Sequence, residues 1–217
     1  MYENKTYAVF GLGRYGRAVA SELSKSGAEI VAVDIDEDAV NDAAEAISVC
    51  KCADVTDENV LNQLGIKNFD IVIVAMAGNL EGSVMTTMLL KQAGVPTVIV
   101  KCADEMHKKI LSKIGADKVL LPEVESGTRL AKNLLSSGFI DVIELSKNVS
   151  MVEINVKKDW IGKSLVELSL RKKYSINVIA IRKNNEVIID IDPTLPLDDS
   201  MKLIVVTANS EKLEKLS

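Results

Sequence analysis

Through the first two-thirds of the chain, apolar residues gather into short, nearly continuous runs at 7–10, 30–34, 48–52, 71–75, 97–101 and 118–121. Between these runs, at 14–26, 37–46, 58–64, 80–94 and 104–114, apolar residues recur with helical spacing. An uninterrupted apolar run of this length, bounded by turn residues, predicts a strand covered on both faces. Strands that alternate with helices predict a doubly wound parallel sheet. Gly27, Gly65, Gly94 and Gly115 fall where the helices should end, at positions that call for a left-handed C-terminal cap. Pro122 stops the sixth strand, and a further helix is expected over 123–136.

The pattern then changes. Ser136-Ser137-Gly138 reads as a hinge, which divides the chain into domains at 1–136 and 137–217. Residues 149–156 alternate as a strand, 165–172 make a short helix, and 176–182 and 186–190 are strands joined by the turn Lys183-Asn184-Asn185. Pro193 and Pro196 frame another turn, 201–207 is a strand and 210–216 a short helix. This is a small α+β domain with an antiparallel sheet, near the size at which one core is marginal, so pairing with a second copy is expected.

Composition narrows the function classes. The net charge is −5, with cations scattered among acids, and aromatics are only 4% of the 217 residues. There is no basic stripe with interleaved aromatics, so nucleic-acid binding is not expected. The longest apolar runs, 69–77 with one Asp and 95–100, fall far short of the ~20 residues of a membrane span. The first residues lead almost directly into a strand and do not resemble a signal peptide. Three cysteines and no export signal suggest reduced thiols and a cytoplasmic protein that reaches a membrane only through a partner. Cys50-Lys51-Cys52 could suggest a metal, but one histidine, His107, does not complete a four-ligand zinc set; alternate positions on a strand face explain the pair.

Candidate chemistry begins at Gly11-Leu12-Gly13-Arg14-Tyr15-Gly16, between the first strand and the first helix. The spacing is that of a Rossmann-type dinucleotide fingerprint: one glycine for the turn, one for close approach of a phosphate, one for helix–strand packing. Asp34 closes the second strand, where a ribose hydroxyl needs an acceptor, and Asp36 follows. With six strands, the expected order is 3-2-1-4-5-6, so a ligand would cross the carboxyl ends of strands one and four, beside Ala75. Ala53-Asp54 ends the third strand near the place of an adenine. Asp54 either accepts from the adenine amine or serves as an N-terminal acid of the next helix. Arg14, in the first helical turn, opposes the helix dipole unless an anion sits beside it; it either meets a phosphate or points to water. Glu123, in a later first turn, suits its helix dipole in any case.

Catalytic equipment is missing from this pattern. The residues four beyond Tyr2, Tyr7, Tyr15 and Tyr174 are Thr6, Gly11, Val19 and Val178, so no Tyr-x-x-x-Lys pair exists. His107 lies on a surface-type helix between Met106 and Lys108. A nucleotide site without a proton donor points to a sensor rather than an enzyme.

The fingerprint with Arg14 and Tyr15, the acids Asp34 and Asp36, Ala53-Asp54 and Leu121-Pro122-Glu123 resemble the RCK (TrkA-N) domain. Gly162-Lys163-Ser164-Leu165, Tyr174-Ser175-Ile176-Asn177-Val178 and Ile204-Val205-Val206 resemble the RCK C-terminal (TrkA-C) domain. One copy of each over nearly the whole chain is similar to the KtrA-type cytosolic regulators of potassium uptake. The resemblance implies ATP, ADP or NAD(H) in the first domain, with ribose at Asp34 and Asp36 and terminal phosphates at Arg14. The site set it implies is Gly11, Gly13, Arg14, Tyr15, Gly16, Asp34, Asp36, Ala53, Asp54, Ala75 and Glu123. It places Glu123 near the neighbouring subunit's ligand, where it helps to hold a divalent cation. It also implies a homodimer assembled into an octameric ring beneath a membrane potassium channel or transporter, and cyclic di-AMP at the C-terminal dimer interface, matched here by Leu170-Arg171 and Ile176-Asn177-Val178. The chain departs from the common C-domain pattern at Asp199-Ser200, where Gly-Asp is usual, and at Thr207-Ala208, where a glycine often follows the last strand. The expected function is therefore nucleotide-dependent gating of potassium flux. The alternatives are a small NAD-dependent oxidoreductase and a regulator of a different membrane carrier.

Overall fold

The computed structural model describes residues 5–135, 143–146, 149–184 and 186–208. Contacts divide the chain into two compact units, Met1–Glu123 and Val124–Ser217. The first contains β1 (Thr6–Phe10), α1 (Arg14–Lys25), β2 (Glu29–Asp34), α2 (Glu37–Ala44), β3 (Cys50–Cys52), α3 (Glu58–Gln63), β4 (Ile71–Val74), α4 (Leu80–Gln92), β5 (Thr97–Lys101), α5 (Glu105–Lys113) and β6 (Lys118–Leu120). All strands are parallel, in the order β3-β2-β1-β4-β5-β6. β1 is central: Val9 stands opposite Ala32 of β2 and Ile73 of β4.

Alternate residues of a strand point to opposite faces, and here both faces are packed. Val9, Ile30, Ala32 and Ile73 pack with Ala20 of α1 and Val40 of α2. Ala8, Phe10, Val33, Val72, Val74, Val98 and Val100 pack on the other side with Leu61 of α3, Leu90 of α4 and Leu111 of α5. Burial on both sides is why the strands read as continuous apolar runs. β3 is shorter than its apolar run because it is an edge strand that pairs only with β2. Cys50 is half-buried there and Cys52 exposed, so only the first of the pair packs as a small hydrophobe. Gly27, Gly65, Gly94 and Gly115 all have positive φ, between 70° and 106°, as helix ends require.

α6 (Pro122–Leu135) follows. The second unit then forms β7 (Ile143–Ser146), β8 (Val149–Asn155), α7 (Leu165–Leu168), α8 (Leu170–Tyr174), β9 (Ile176–Lys183), β10 (Glu186–Ile188) and β11 (Lys202–Thr207). Its antiparallel sheet has the order β10-β9-β11-β8-β7. Val152, Ile176, Ile181, Leu203 and Val205 pack beneath Trp160, Leu168 and Leu170. Two features correct the sequence reading. The sequence reading placed no strand at β7, and the single helix expected over 165–172 is two, broken at Ser169 with φ 48°. The expected hinge at 136–138 and helix at 210–216 lie outside the described residues. Among the described residues no helix is long and apolar enough to cross a membrane.

Candidate functional site

The carboxyl edge of the parallel sheet gathers most of the residues singled out by sequence. Gly11 turns out of β1 with φ +91°, and its N–H donates to the Val33 carbonyl at 2.9 Å. A Cβ there would stand 2.9 Å from Met76 Cγ and 3.0 Å from the Ala75 carbonyl carbon. A Cβ on Gly16 would stand 1.8 Å from the Gly11 carbonyl oxygen. Turn and helix can therefore approach only because both residues are glycine. Gly13 differs. Its backbone is ordinary (φ −61°, ψ −177°), and nothing lies within 4 Å of the place of a Cβ. No internal contact demands a glycine there.

The same residue begins α1, whose first-turn N–H groups receive no side-chain cap and no acid. By contrast Asp36, Asp57, Asn79 and Asp104 cap α2, α3, α4 and α5. A bare helix N-terminus headed by exposed Arg14 is a favourable place for an anion.

Asp34 works on the loop itself. Its Oδ2 accepts from the Leu12 N–H at 2.5 Å and its Oδ1 from the Asp36 N–H at 3.0 Å. An ionised carboxylate has about four acceptor positions, so capacity for a ribose remains beside this clamp. Asp36 caps α2 through Asp38 N–H. Ala53 N–H bonds the Asp34 carbonyl, which ties it to the end of β2, and Ala75 N–H bonds the Phe10 carbonyl, which holds Ala75 against the glycine turn. The cap of α3 is Asp57, three residues after Asp54. Asp54 accepts from the side chain (2.7 Å) and backbone (2.9 Å) of Thr56, and these bonds hold its pKa below the usual carboxylate value.

Lys101 is a residue that sequence reasoning missed. It ends β5, and its Nζ lies 2.7 Å from Glu123 Oε1 and 5.7 Å from the centre of the Tyr15 ring. The lysine side chain is 15% exposed and that of Glu123 71%, so Lys101 is the fixed partner and Glu123 the accessible one. The Lys101 hydrogen bond chiefly, and the charge of Arg14 to a lesser degree, lower the Glu123 pKa. The available signal was a cation closing an otherwise apolar strand at the ligand edge. Glu123 is by itself no metal centre: it is paired, and among the described residues no three of His, Cys, Asp and Glu converge. Cations of the magnesium type take one or two carboxylates plus phosphate oxygens, so a cation at Glu123 would arrive with a nucleotide. His107 packs against its own helix cap, with Nε2 3.5 Å from Asp104 Oδ2.

In the second unit Arg171, Ile176, Asn177 and Val178 line one surface cavity of about 440 Å³ with Leu165, Val166 and Ser169. Ile176 is only 1% exposed; it forms the floor and offers little face to a ligand.

A doubly wound sheet with an uncapped glycine-loop helix, joined to a small antiparallel domain, is the architecture of proteins that pair a TrkA-N with a TrkA-C domain. The TrkA-N domain family matches residues 7–122 and the TrkA-C domain family residues 149–217, and the chain belongs to this family. It is 44% identical over 202 residues to Ktr system potassium uptake protein C of Bacillus subtilis (strain 168), covering 93% of this chain and 91% of that protein. It is 38% identical over 191 residues to Ktr system potassium uptake protein A of the same organism, covering 88% and 86%. Among solved structures, the GsuK channel bound to NAD shares the fold with TM-score 0.64 at 17% identity, over 97% of this chain and 38% of that one.

Proposed function

We propose that this chain is a nucleotide-binding regulatory subunit that gates a membrane potassium channel or transporter from the cytoplasmic side, without a catalytic step of its own. The observation that carries the ligand site is Gly13: it is the one fingerprint glycine that neither strain nor crowding explains, and it heads the one uncapped helix among α1–α5. The relatives named for potassium uptake support the setting. In this reading the adenosine lies between Asp34 and Asp54, the phosphates meet the α1 N-terminus and Arg14, and Glu123 shares a divalent cation with them. ATP, ADP and NAD(H) are the ligands in view. The domains are 1–136 and 137–217, and the protein works as a homodimer built into an octameric ring against its membrane partner. The cavity beside Arg171 and Asn177 takes cyclic di-AMP, across the two-fold axis whose symmetry that ligand matches.

A ligand shifts a ring between conformations only by binding one of them better. The direct test is a thermal-shift and calorimetric panel of ATP, ADP, NADH and NADPH, followed by potassium flux from vesicles holding the membrane partner. Asp34 repels a 2′-phosphate, so NADPH is expected to bind far more weakly than NADH. NADPH binding tighter than both ATP and NADH would overturn the site, and flux indifferent to the added subunit and nucleotide would overturn the role.

A further inference from the structure

The buried face of α4 is partly polar, and its hydroxyls reach beyond the helix. Ser83, Thr86 and Thr87 are all buried. A buried hydroxyl is costly unless it is hydrogen-bonded, so its partner shows what it does. Thr87 Oγ1 donates to the Ser83 carbonyl at 2.6 Å, a local bond that threonine makes within many helices. Ser83 Oγ instead donates to the Met76 carbonyl at 3.0 Å, and Thr86 Oγ1 to the Val55 carbonyl at 3.2 Å.

Those two carbonyls belong to the two loops that wall the nucleotide edge. Met76 follows Ala75 at the end of β4 and lies against the glycine turn, within 2.9 Å of the place of a Gly11 Cβ. Val55 follows Asp54 at the end of β3. The two strands stand on opposite sides of β1 in the order β3-β2-β1-β4, so no strand pairing sets one loop against the other. α4 does, through two side chains one helical turn apart. The Met76 carbonyl already accepts the Asn79 N–H at 2.9 Å, so the Ser83 bond is not needed to satisfy that backbone.

We propose that Ser83 and Thr86 are positioning residues for the nucleotide: α4 fixes the distance between the β3 and β4 loops, with Thr86 setting Asp54 and Ser83 setting the loop beside Gly11. This rests on the reading of the carboxyl edge as an adenine-nucleotide site. Thr86→Val keeps the shape and removes the hydroxyl; Thr86→Ser keeps the hydroxyl; Ser83→Ala acts on the other loop.

The experiment is calorimetric titration of the full chain with AMP and with ATP at room temperature, beside a melting curve without ligand. Loss of one neutral hydrogen bond's worth of organisation weakens binding about fivefold. Thr86→Val is expected to lose that factor for AMP and ATP alike, Ser83→Ala a similar factor, and Thr86→Ser to bind as wild type. A merely structural role lowers the melting temperature and leaves both dissociation constants unchanged; that result overturns the proposal, as does a Thr86→Ser protein as impaired as Thr86→Val. Should Thr86→Val not fold cooperatively, Ser83→Ala decides alone. A wild-type protein that binds neither nucleotide overturns the site reading and this proposal with it, whereas wild-type binding with unaffected variants overturns this proposal only.

Discussion

Gly13 and Gly16 stand three residues apart in one motif and answer to different constraints. A methyl group on Gly16 has no room, since it would meet the Gly11 carbonyl oxygen at 1.8 Å, and backbone does not yield as a flexible side chain does. Gly16→Ala is expected to destabilise by about 3 kcal/mol or more. Gly13→Ala meets open space and is expected to change stability by no more than about 1 kcal/mol, while adenine-nucleotide binding is lost. Denaturant titration of both variants with a nucleotide titration of Gly13→Ala checks the pair; a Gly13→Ala protein that binds normally would free that position from any ligand. The fingerprint and the separate tasks of its glycines were legible in the sequence; the contact that leaves Gly16 no room was not, because that crowding exists only once the turn and α1 are in contact. Asp34 is similar. Its place at the end of β2 marked it as an acceptor, yet its bond to the Leu12 N–H joins residues 22 apart and forms only when β1 and β2 pair.

Among the elements, α7 and α8 show a local signal overruled by packing. The segment 165–172 contains no glycine or proline and reads as one helix. Leu168 and Leu170 are both buried in the same core, and positions two apart lie on nearly opposite sides of a continuous helix. The break at Ser169, in the left-handed region at φ 48°, turns both inward. A side-chain-bearing residue costs about 1–2 kcal/mol in that conformation, so Ser169→Gly is expected to raise stability by about 1 kcal/mol, read as a higher denaturation midpoint; a loss would show that the Ser169 hydroxyl bond to the Val166 carbonyl outweighs the strain. On β8, Glu153 lies 2.7 Å from Arg182 of β9 and 3.2 Å from Lys202 of β11. Burial works to raise its pKa, but the bonds from Arg182 and Lys202 prevail and lower it. A carboxylate with a depressed folded pKa stabilises fully above its unfolded value, about 4.3, and loses that contribution as pH falls through the folded value. The stability gap between wild type and Glu153→Gln is thus expected to be largest near neutrality and to shrink below about pH 4. A gap independent of pH would mean that packing, not charge, sets it.

At the scale of the whole molecule, each unit carries its own core, and each carries its own candidate ligand site. Arg14→Ala is expected to weaken ATP on the order of tenfold or more, as loss of a charge-assisted bond implies, with little effect on AMP or cyclic di-AMP. Arg171→Ala is expected to weaken cyclic di-AMP and spare ATP. Titrating both full-length variants with all three ligands checks the pattern, and equal losses across ligands in either variant would remove that arginine from its site. The sequence by itself determined the parallel sheet, its strand order, the glycine loop and the acids at the strand ends. Burial on two faces, helix termination and phosphate-turn spacing are local or periodic properties, and a chain records them directly. Only the tertiary structure decided what Lys101 faces, that Asp34 clamps the Leu12 N–H, that α4 ties the Met76 loop to the Val55 loop, and where the C-terminal helix breaks. The first three depend on contacts between residues distant in the chain, which no local window contains, and the last on a competition of neighbouring leucines for one core.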